Sequence, residues 1–422
     1  MNSRRRNSTP FRTATGLATL LLLAFAQILA ADAPPASKAA GESDPVRRAE
    51  AFGAKLYLLR TDPRLDFWLK QPKGASVPQL RPIQRVCANE PFTAILILEH
   101  VGDMGKGMGQ VSMDVAVRSV DGKSRRIATG EAFKGKLPPA DASLPIQKNF
   151  MLALDDKEAL GVVKIIVQLR DQGSATTLQA EAAVELVKWS YGDKPATKED
   201  YDKWVKSYYL DQTPAESVRA YLEFADLKKE SSRDAVLQFY ANIFYDNLWL
   251  FPRLTERFAT ASREQQVKIA ALLQVTGRQD AAKSLPFPDG EDLPEIKKWL
   301  EGLTLPDPYD PWTRPSQLDQ LWAEFFATGR YSPVRQLVKA LELAPFEKAF
   351  SKENPPKTDE ERADALKGVI FQAARWSLES NLRQHEQVKE YALFMLESET
   401  MGEAEKAALK SLLEPQAPAK KD

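Results

Sequence analysis

Pro315-Ser-Gln-Leu-Asp-Gln-Leu-Trp-Ala-Glu-Phe-Phe-Ala-Thr-Gly-Arg330 runs directly into Tyr331-Ser-Pro-Val-Arg-Gln-Leu-Val-Lys-Ala-Leu341. Leu318, Leu321, Trp322, Phe325 and Phe326 recur at i, i+3, i+4, i+7 and i+8, the spacing of one apolar stripe on a helix. Ser316 is the expected N-cap, and Asp319 falls in the first turn, where the helix dipole favours an acid. Gly329 is the residue type that closes a helix in the left-handed conformation. Ser332 followed by Pro333 then predicts a second N-terminus, with Val334, Leu337, Val338 and Leu341 as its stripe. So short a connection predicts that the two helices fold back as an αα-hairpin.

Helical signals of this kind extend from Thr197 to Leu413. Thr213-Pro-Ala-Glu216, Ser262-Arg-Glu-Gln265 and Thr358-Asp-Glu-Glu361 each read as capping boxes. The stretches 236–251 and 369–378 are apolar on most sides, which predicts central helices. A degenerate repeat of 52 residues is also legible, since Thr276-Gly-Arg278 and Thr328-Gly-Arg330 stand that far apart. The same step beyond Gly329 reaches Asn381, a residue that tolerates a left-handed cap.

Upstream the period changes from 3.6 to 2. Phe92-Thr-Ala-Ile-Leu-Ile-Leu98 is a compact apolar run, and Val111, Met113, Val115 and Val117 alternate with Ser112, Asp114, Ala116 and Arg118. Asp121-Gly122 marks a tight hairpin turn. Segments 147–154, 161–170 and 176–187 add strands, so six or seven strands and a β-sandwich are expected. The Gly105-Lys-Gly-Met-Gly109 run precedes a strand and not a helix, so it reads as a flexible hairpin connection and not a phosphate loop.

The first 31 residues place Arg4, Arg5, Arg6 and Arg12 before an apolar run and a small-residue stretch, the order of a secretory signal peptide. An uncleaved inner-membrane anchor is the alternative. Removing them takes away four arginines and no acid, leaving 54 basic against 58 acidic side chains and a net charge near −4. With no long basic block, nucleic acid is not an expected partner. The organisation is therefore a signal at 1–31, a flexible spacer at 32–50, a β-sandwich at 51–189, a linker at 190–196, an all-α, solenoid-like domain at 197–414 and a disordered tail at 415–422. Export implies a periplasmic or secreted location, and the single Cys87 excludes an intrachain disulfide.

Two resemblances follow from particular residues. The order of strands, the Asp121-Gly-Lys123 turn and Gly161-Val-Val-Lys-Ile-Ile-Val-Gln-Leu-Arg-Asp171 resemble the immunoglobulin-like accessory domains of exported bacterial proteins. Leu321-Trp-Ala-Glu-Phe-Phe-Ala-Thr-Gly329 and Ala374-Arg-Trp-Ser-Leu-Glu-Ser-Asn381 resemble a helical module of exported bacterial proteins that carries no named function.

Candidates for chemistry are few. His100 and His385 are the only histidines, there is no Gly-x-Ser-x-Gly elbow, and Cys87 reads as a buried, inert thiol. His100, Met104 and Met108, with Met113 nearby, suggest Cu(I), although Met113 belongs to the alternating strand. Asp155-Asp156 and Glu360-Glu361 sit at a turn and a helix start, where acids serve local roles. No cofactor is expected. Tyr309 and Trp312, in the proline-held loop 308–312, are the candidate partner surface; stapling of the loop onto the next helix is the competing reading. The expected function is non-enzymatic binding or scaffolding of a protein or cell-envelope partner through the helical domain. A carboxylate-based hydrolase is the alternative.

Overall fold

The structure is a computed structural model that describes residues 52–60, 67, 80–138, 146–192, 194–349 and 356–414. The expected signal, spacer and tail lie outside the described residues. What is described is a mixed β and α fold with two principal cores, one between sheets and one among helices.

Eight strands come first among the described residues: β1 (Gly53–Leu59), β2 (Arg85–Cys87), β3 (Pro91–Glu99), β4 (Met108–Arg118), β5 (Ser124–Lys136), β6 (Ile146–Ala153), β7 (Gly161–Asp171) and β8 (Thr177–Val187). They form a three-stranded sheet in the order β1-β3-β6 and a five-stranded sheet, curled into a half-barrel, in the order β2-β8-β7-β4-β5. All pairs are antiparallel except β2 with β8. One aliphatic core joins the inner faces of both sheets, with Leu96, Val115 and Val167 among its members. The β4 alternation is as the sequence predicts: Val111, Met113, Val115 and Val117 are buried while their neighbours are not. The compact run in β3 has its own reason. Ile95 faces away from the main core and packs with Leu59 in a small second cluster, so this strand is apolar on both sides.

Asp121-Gly122 turns β4 into β5 as expected, with Gly122 at φ 82°. The glycine run 105–109 does not make a hairpin. β3 and β4 lie in different sheets, so this segment is a crossover between them. Buried Asp171 anchors that crossover: its carboxylate accepts the amides of Gly102, Gly173 and Ser174 and the Ser174 hydroxyl. Here Gly173 is obligatory, because a Cβ would stand 2.2 Å from the Gly102 carbonyl oxygen.

Twelve α-helices follow among the described residues: α1 (Lys198–Ser207), α2 (Pro214–Arg219), α3 (Glu230–Asp246), α4 (Leu250–Glu256), α5 (Arg263–Val275), α6 (Gln279–Lys283), α7 (Leu293–Glu301), α8 (Ser316–Thr328), α9 (Tyr331–Lys339), α10 (Asp359–Gln384), α11 (Glu386–Ser398) and α12 (Glu403–Leu413). Contacts run from α5 to α3, from α3 to α8, from α8 to α9 and on to α10, α11 and α12. The α8–α9 pair is the expected hairpin, with Gly329 left-handed at φ 67°. Thr197 caps α1, and the capping boxes at Ser262 and Thr358 are both formed.

Four local expectations are corrected. Ser316 is the first helical residue and not the cap; the loop amides of Thr313 and Arg314 are taken instead by the Gln317 side chain. The next helix begins at Tyr331, so Ser332 and Pro333 lie inside its first turn. Thr213 makes no capping bond to the backbone; its hydroxyl donates to Glu216 and accepts the Trp204 indole N–H. Asn381 is no left-handed cap: it sits within α10 and donates to the Ser377 carbonyl four residues back.

The two cores are linked. Phe67, which precedes β2 in the chain, packs in the helical core against Tyr331, Tyr391 and Phe394 at ring separations of 5.2, 4.5 and 4.8 Å. Arg81 donates to the Leu210 carbonyl and Trp189 to that of Ala215. No described helix is long and apolar enough to cross a membrane.

Candidate functional site

Helix α8 is enclosed on nearly every side, well beyond the single stripe its apolar residues require. Its second buried row is polar: Gln317, Gln320, Glu324 and Thr328, spaced by three and four residues. Buried polar side chains need partners, and the proline-rich loop before the helix supplies them. The Gln317 carbonyl oxygen accepts from the amides of Thr313 and Arg314, at 2.8 and 3.1 Å, and from the Thr313 hydroxyl. Gln320 donates to the Pro306 carbonyl at 3.3 Å. The loop is thereby held as a strap along α8.

This strap gives its two aromatic residues different positions. Trp312 is half-buried and packs against the helical core. Tyr309 keeps 40% of its surface exposed, while its hydroxyl donates to the Glu324 carboxylate at 3.0 Å. Glu324 is only 8% exposed, and burial raises its carboxyl above the ordinary range; the Tyr309 hydrogen bond and the Arg330 charge act the other way. Arg330 in turn holds both oxygens of Asp246, at 2.7 and 2.9 Å. Asp246 ends α3 between Tyr245 and Leu248, which are 52% and 56% exposed. The result is a fixed ionic and hydroxyl network with exposed aromatic and aliphatic side chains at its margin. Both Asp246 oxygens accept from one guanidinium nitrogen, Arg330 Nη2, and this charge-assisted contact leaves Asp246 poorly placed to act as a base.

Tyr245, Asp246, Glu324 and Arg330 were missed by sequence reasoning. The signal for Glu324 was present, as one acid in Leu-Trp-Ala-Glu-Phe-Phe in register with Gln317, Gln320 and Thr328. Nothing local points to the Arg330–Asp246 pair, whose members are 84 residues apart.

The remaining candidates are dispersed. Cys87 is buried, and its thiol is pushed up to about 12, first by burial and then by the Glu90 charge, as suits an inert thiol. His100, Met104 and Met108 are exposed along the crossover, whereas Met113 lies in the sheet core. Among the described residues no group of three His, Cys, Asp or Glu side chains is placed to hold a metal. His385 is buried between α10 and α11, with Nδ1 2.8 Å from the Tyr209 hydroxyl. Asp155 accepts the Lys157 amide in its turn, and Glu361 completes the α10 capping box.

No family model matches the chain, and no curated protein matches it. Among solved structures it is similar to a chain described as "pT26-6p", at 11% identity and a TM-score of 0.16, over 74% of this chain and 48% of that one. The chain thus spans about half the length of that structure.

Proposed function

We propose that this chain is an exported, non-enzymatic binding or scaffold protein that engages a protein or cell-envelope partner through its helical domain, with Tyr309 at the contact. The observation that carries this is the margin of exposed Tyr309, Tyr245 and Leu248 around a network that is already internally satisfied. Rigid aromatic side chains on a pre-ordered base lose little entropy on binding and are favoured contact residues. Trp312 contributes by seating the strap. The likeness to exported proteins with an immunoglobulin-like domain belongs to the same proposal, supported by the single core between the two sheets. The solenoid-like description of the helical domain is supported by the successive contacts from α8 through α9 to α10, α11 and α12. A periplasmic or secreted location is supported by the basic, apolar and small-residue order of the first 31 residues.

The test is capture from a native cell-envelope extract by wild type and by Tyr245→Ser/Leu248→Ser, two exposed positions whose change should leave the melting temperature within a degree or two. A discrete partner held by wild type and lost by the variant is the expected result. Equal capture by both removes this surface. Hydrolysis by the purified protein that vanishes with Glu324→Gln would replace binding by the hydrolase reading.

A further inference from the structure

A cleft of about 680 Å³ opens where the edge of the five-stranded sheet meets the start of the helical region. It lies apart from the Tyr309 margin, and its volume is within the range of small-ligand sites. Its sheet wall is formed by residues 81–87 and 185–188, its helix wall by residues 209–216, and the connection after β8 closes one end.

β2 is an edge strand, and an open edge invites an added strand. Here the edge is sealed. Arg60 donates to the Arg85 carbonyl at 3.0 Å, and the buried Glu90 carboxylate accepts the Cys87 amide at 2.8 Å. Arg60 and Glu90 pair with each other at 2.7 Å, so the seal is itself neutral. Arg85 and Glu185 form a second neutral pair on the same wall. A ligand must therefore be recognised by the charges left over.

Those charges are of both signs. Arg81 spends one N–H on the Leu210 carbonyl, its one bond among the described residues, and has further donors to offer. Lys188 lines the sheet wall with no ion pair or hydrogen bond among the described residues. On the helix wall the Asp211 carboxylate is likewise unengaged, and Glu216 has only the Thr213 hydroxyl. Burial raises the Glu216 carboxyl above its usual range, and Asp211 adds to that while Lys194 opposes it. A ligand cation at this wall would relieve that strain on the carboxylate. Tyr191, Val187 and Ala215 line the same cleft and supply apolar contact.

We propose that this cleft binds the zwitterion of a short peptide, its C-terminal carboxylate taken by Arg81 and Lys188 and its N-terminal ammonium by Asp211 and Glu216. Side chains of such a peptide lie against Tyr191 and Val187, which sets no strict sequence requirement. The site does not depend on the Tyr309 margin, and either can fail without the other.

The probe is tri-alanine, with its N-acetylated and C-amidated forms, titrated calorimetrically into the full chain. Wild type is expected to bind the free peptide, with each blocked end weakening binding about tenfold or more. Lys188→Gln and Asp211→Asn alter exposed side chains that hold nothing else among the described residues, so both variants should fold. Lys188→Gln should lose discrimination against the amidated peptide, and Asp211→Asn discrimination against the acetylated one. Absence of heat with the free peptide, or binding indifferent to both blocked ends, overturns the proposal. Binding lost in Tyr245→Ser/Leu248→Ser and kept in the two cleft variants overturns it as well, by moving the ligand to the helical margin.

Discussion

The sheet core and the helical core are built on different principles. Between the sheets the filling is mainly aliphatic, with Phe52 and Phe92 as its buried rings: Val111, Val115, Val163, Ile165 and Val167 are fully buried, and the interior polar groups Glu90 and Asp171 are bonded to backbone amides. Among the helices the filling is aromatic. Trp204 meets Tyr208, Phe239 and Tyr240, while Trp322 meets Phe325 and Phe326. Six buried polar side-chain atoms without a hydrogen-bond partner are found among the described residues, on Tyr208, Tyr240, Gln320, Trp322, Asn381 and His385, and all belong to the helical region. An aliphatic layer needs volume and alternation, which many sequences satisfy. Interlocked rings need particular positions and orientations, and each carries a polar edge that must be placed. The helical core should therefore be the less forgiving of the two.

Truncation measures that contrast most directly. Phe325 is fully buried against Tyr209, Trp322 and Phe326. Phe325→Ala is expected to cost about 3–5 kcal/mol. Val167→Ala, equally buried between the sheets, removes two methyl groups and should cost about 2 kcal/mol. Urea denaturation of both variants, followed by tryptophan fluorescence and far-ultraviolet dichroism, checks the order. Equal losses would mean that the rings act only as volume.

Acid should also separate the two cores, through His385. The ring is 8% exposed and is enclosed by Tyr209, Phe325 and Phe326, and the residue stands at the N-cap position of α11 without a side-chain capping bond. Burial first, and the Lys206 charge second, hold its pKa down to about 4 from an ordinary 6.5. A folded-state pKa below the unfolded one means that the unfolded chain binds the proton first. The stability conferred by a neutral His385 is thus complete above pH 6.5 and is lost as pH falls towards 4. The loss by pH 4.5 should be on the order of 2–3 kcal/mol. His385→Gln should be less stable at pH 7 but should lack this component, so the gap between wild type and variant narrows on acidification. A gap that stays constant from pH 7 to 4.5 would show that the ring does not titrate in this interval.

How much could be read from the sequence follows the same division. In β4, burial alternates with period two and so does the sequence, and the Asp121-Gly122 turn is local. β5 was not legible: it is an outer strand rich in Arg125, Arg126, Glu131 and Lys134, and only Ala132 is deeply buried, so it carries no alternation. Capping boxes at Ser262 and Thr358 were legible because both partners lie within three residues. At Ser316 the same logic picked the wrong acceptor, although the bonds are just as local: the amides of Thr313 and Arg314, four and three residues away, go to the Gln317 side chain. Asn381 misled for a chemical reason. The short amide that tolerates a left-handed turn also bonds a carbonyl one turn back inside a helix. The apolar stripe of α8 was plain, but its burial on the opposite side was not, because glutamine, glutamate and threonine ordinarily mark solvent.

The smallest effect tests whether two glycines with one local role differ through their surroundings. Gly277 and Gly329 both follow helices with positive φ, 74° and 67°. After α5, Arg278 donates to the Leu273 carbonyl and Gly277 to that of Gln274, and a Cβ at Gly277 would meet open space. After α8 the turn is tied down: the Gly329 carbonyl accepts the Gln387 side-chain amide and the Tyr391 hydroxyl, both at 2.7 Å. A β-branched residue at either site is strained by about 1–2 kcal/mol. At Gly277 the backbone is free to move towards negative φ and shed part of that cost. At Gly329 such a shift would pull the carbonyl from two buried donors on α11, so the full strain or more should remain. Gly329→Val is thus expected to lower the melting temperature further than Gly277→Val. Asn381→Val acts by another route, removing a buried hydrogen bond within α10. The double variant Gly329→Val/Tyr391→Phe decides the matter. With one tether gone the glycine site gains freedom, so the two changes should cost less together than their separate costs summed. Strict additivity would reduce Gly329 to a local cap like Gly277.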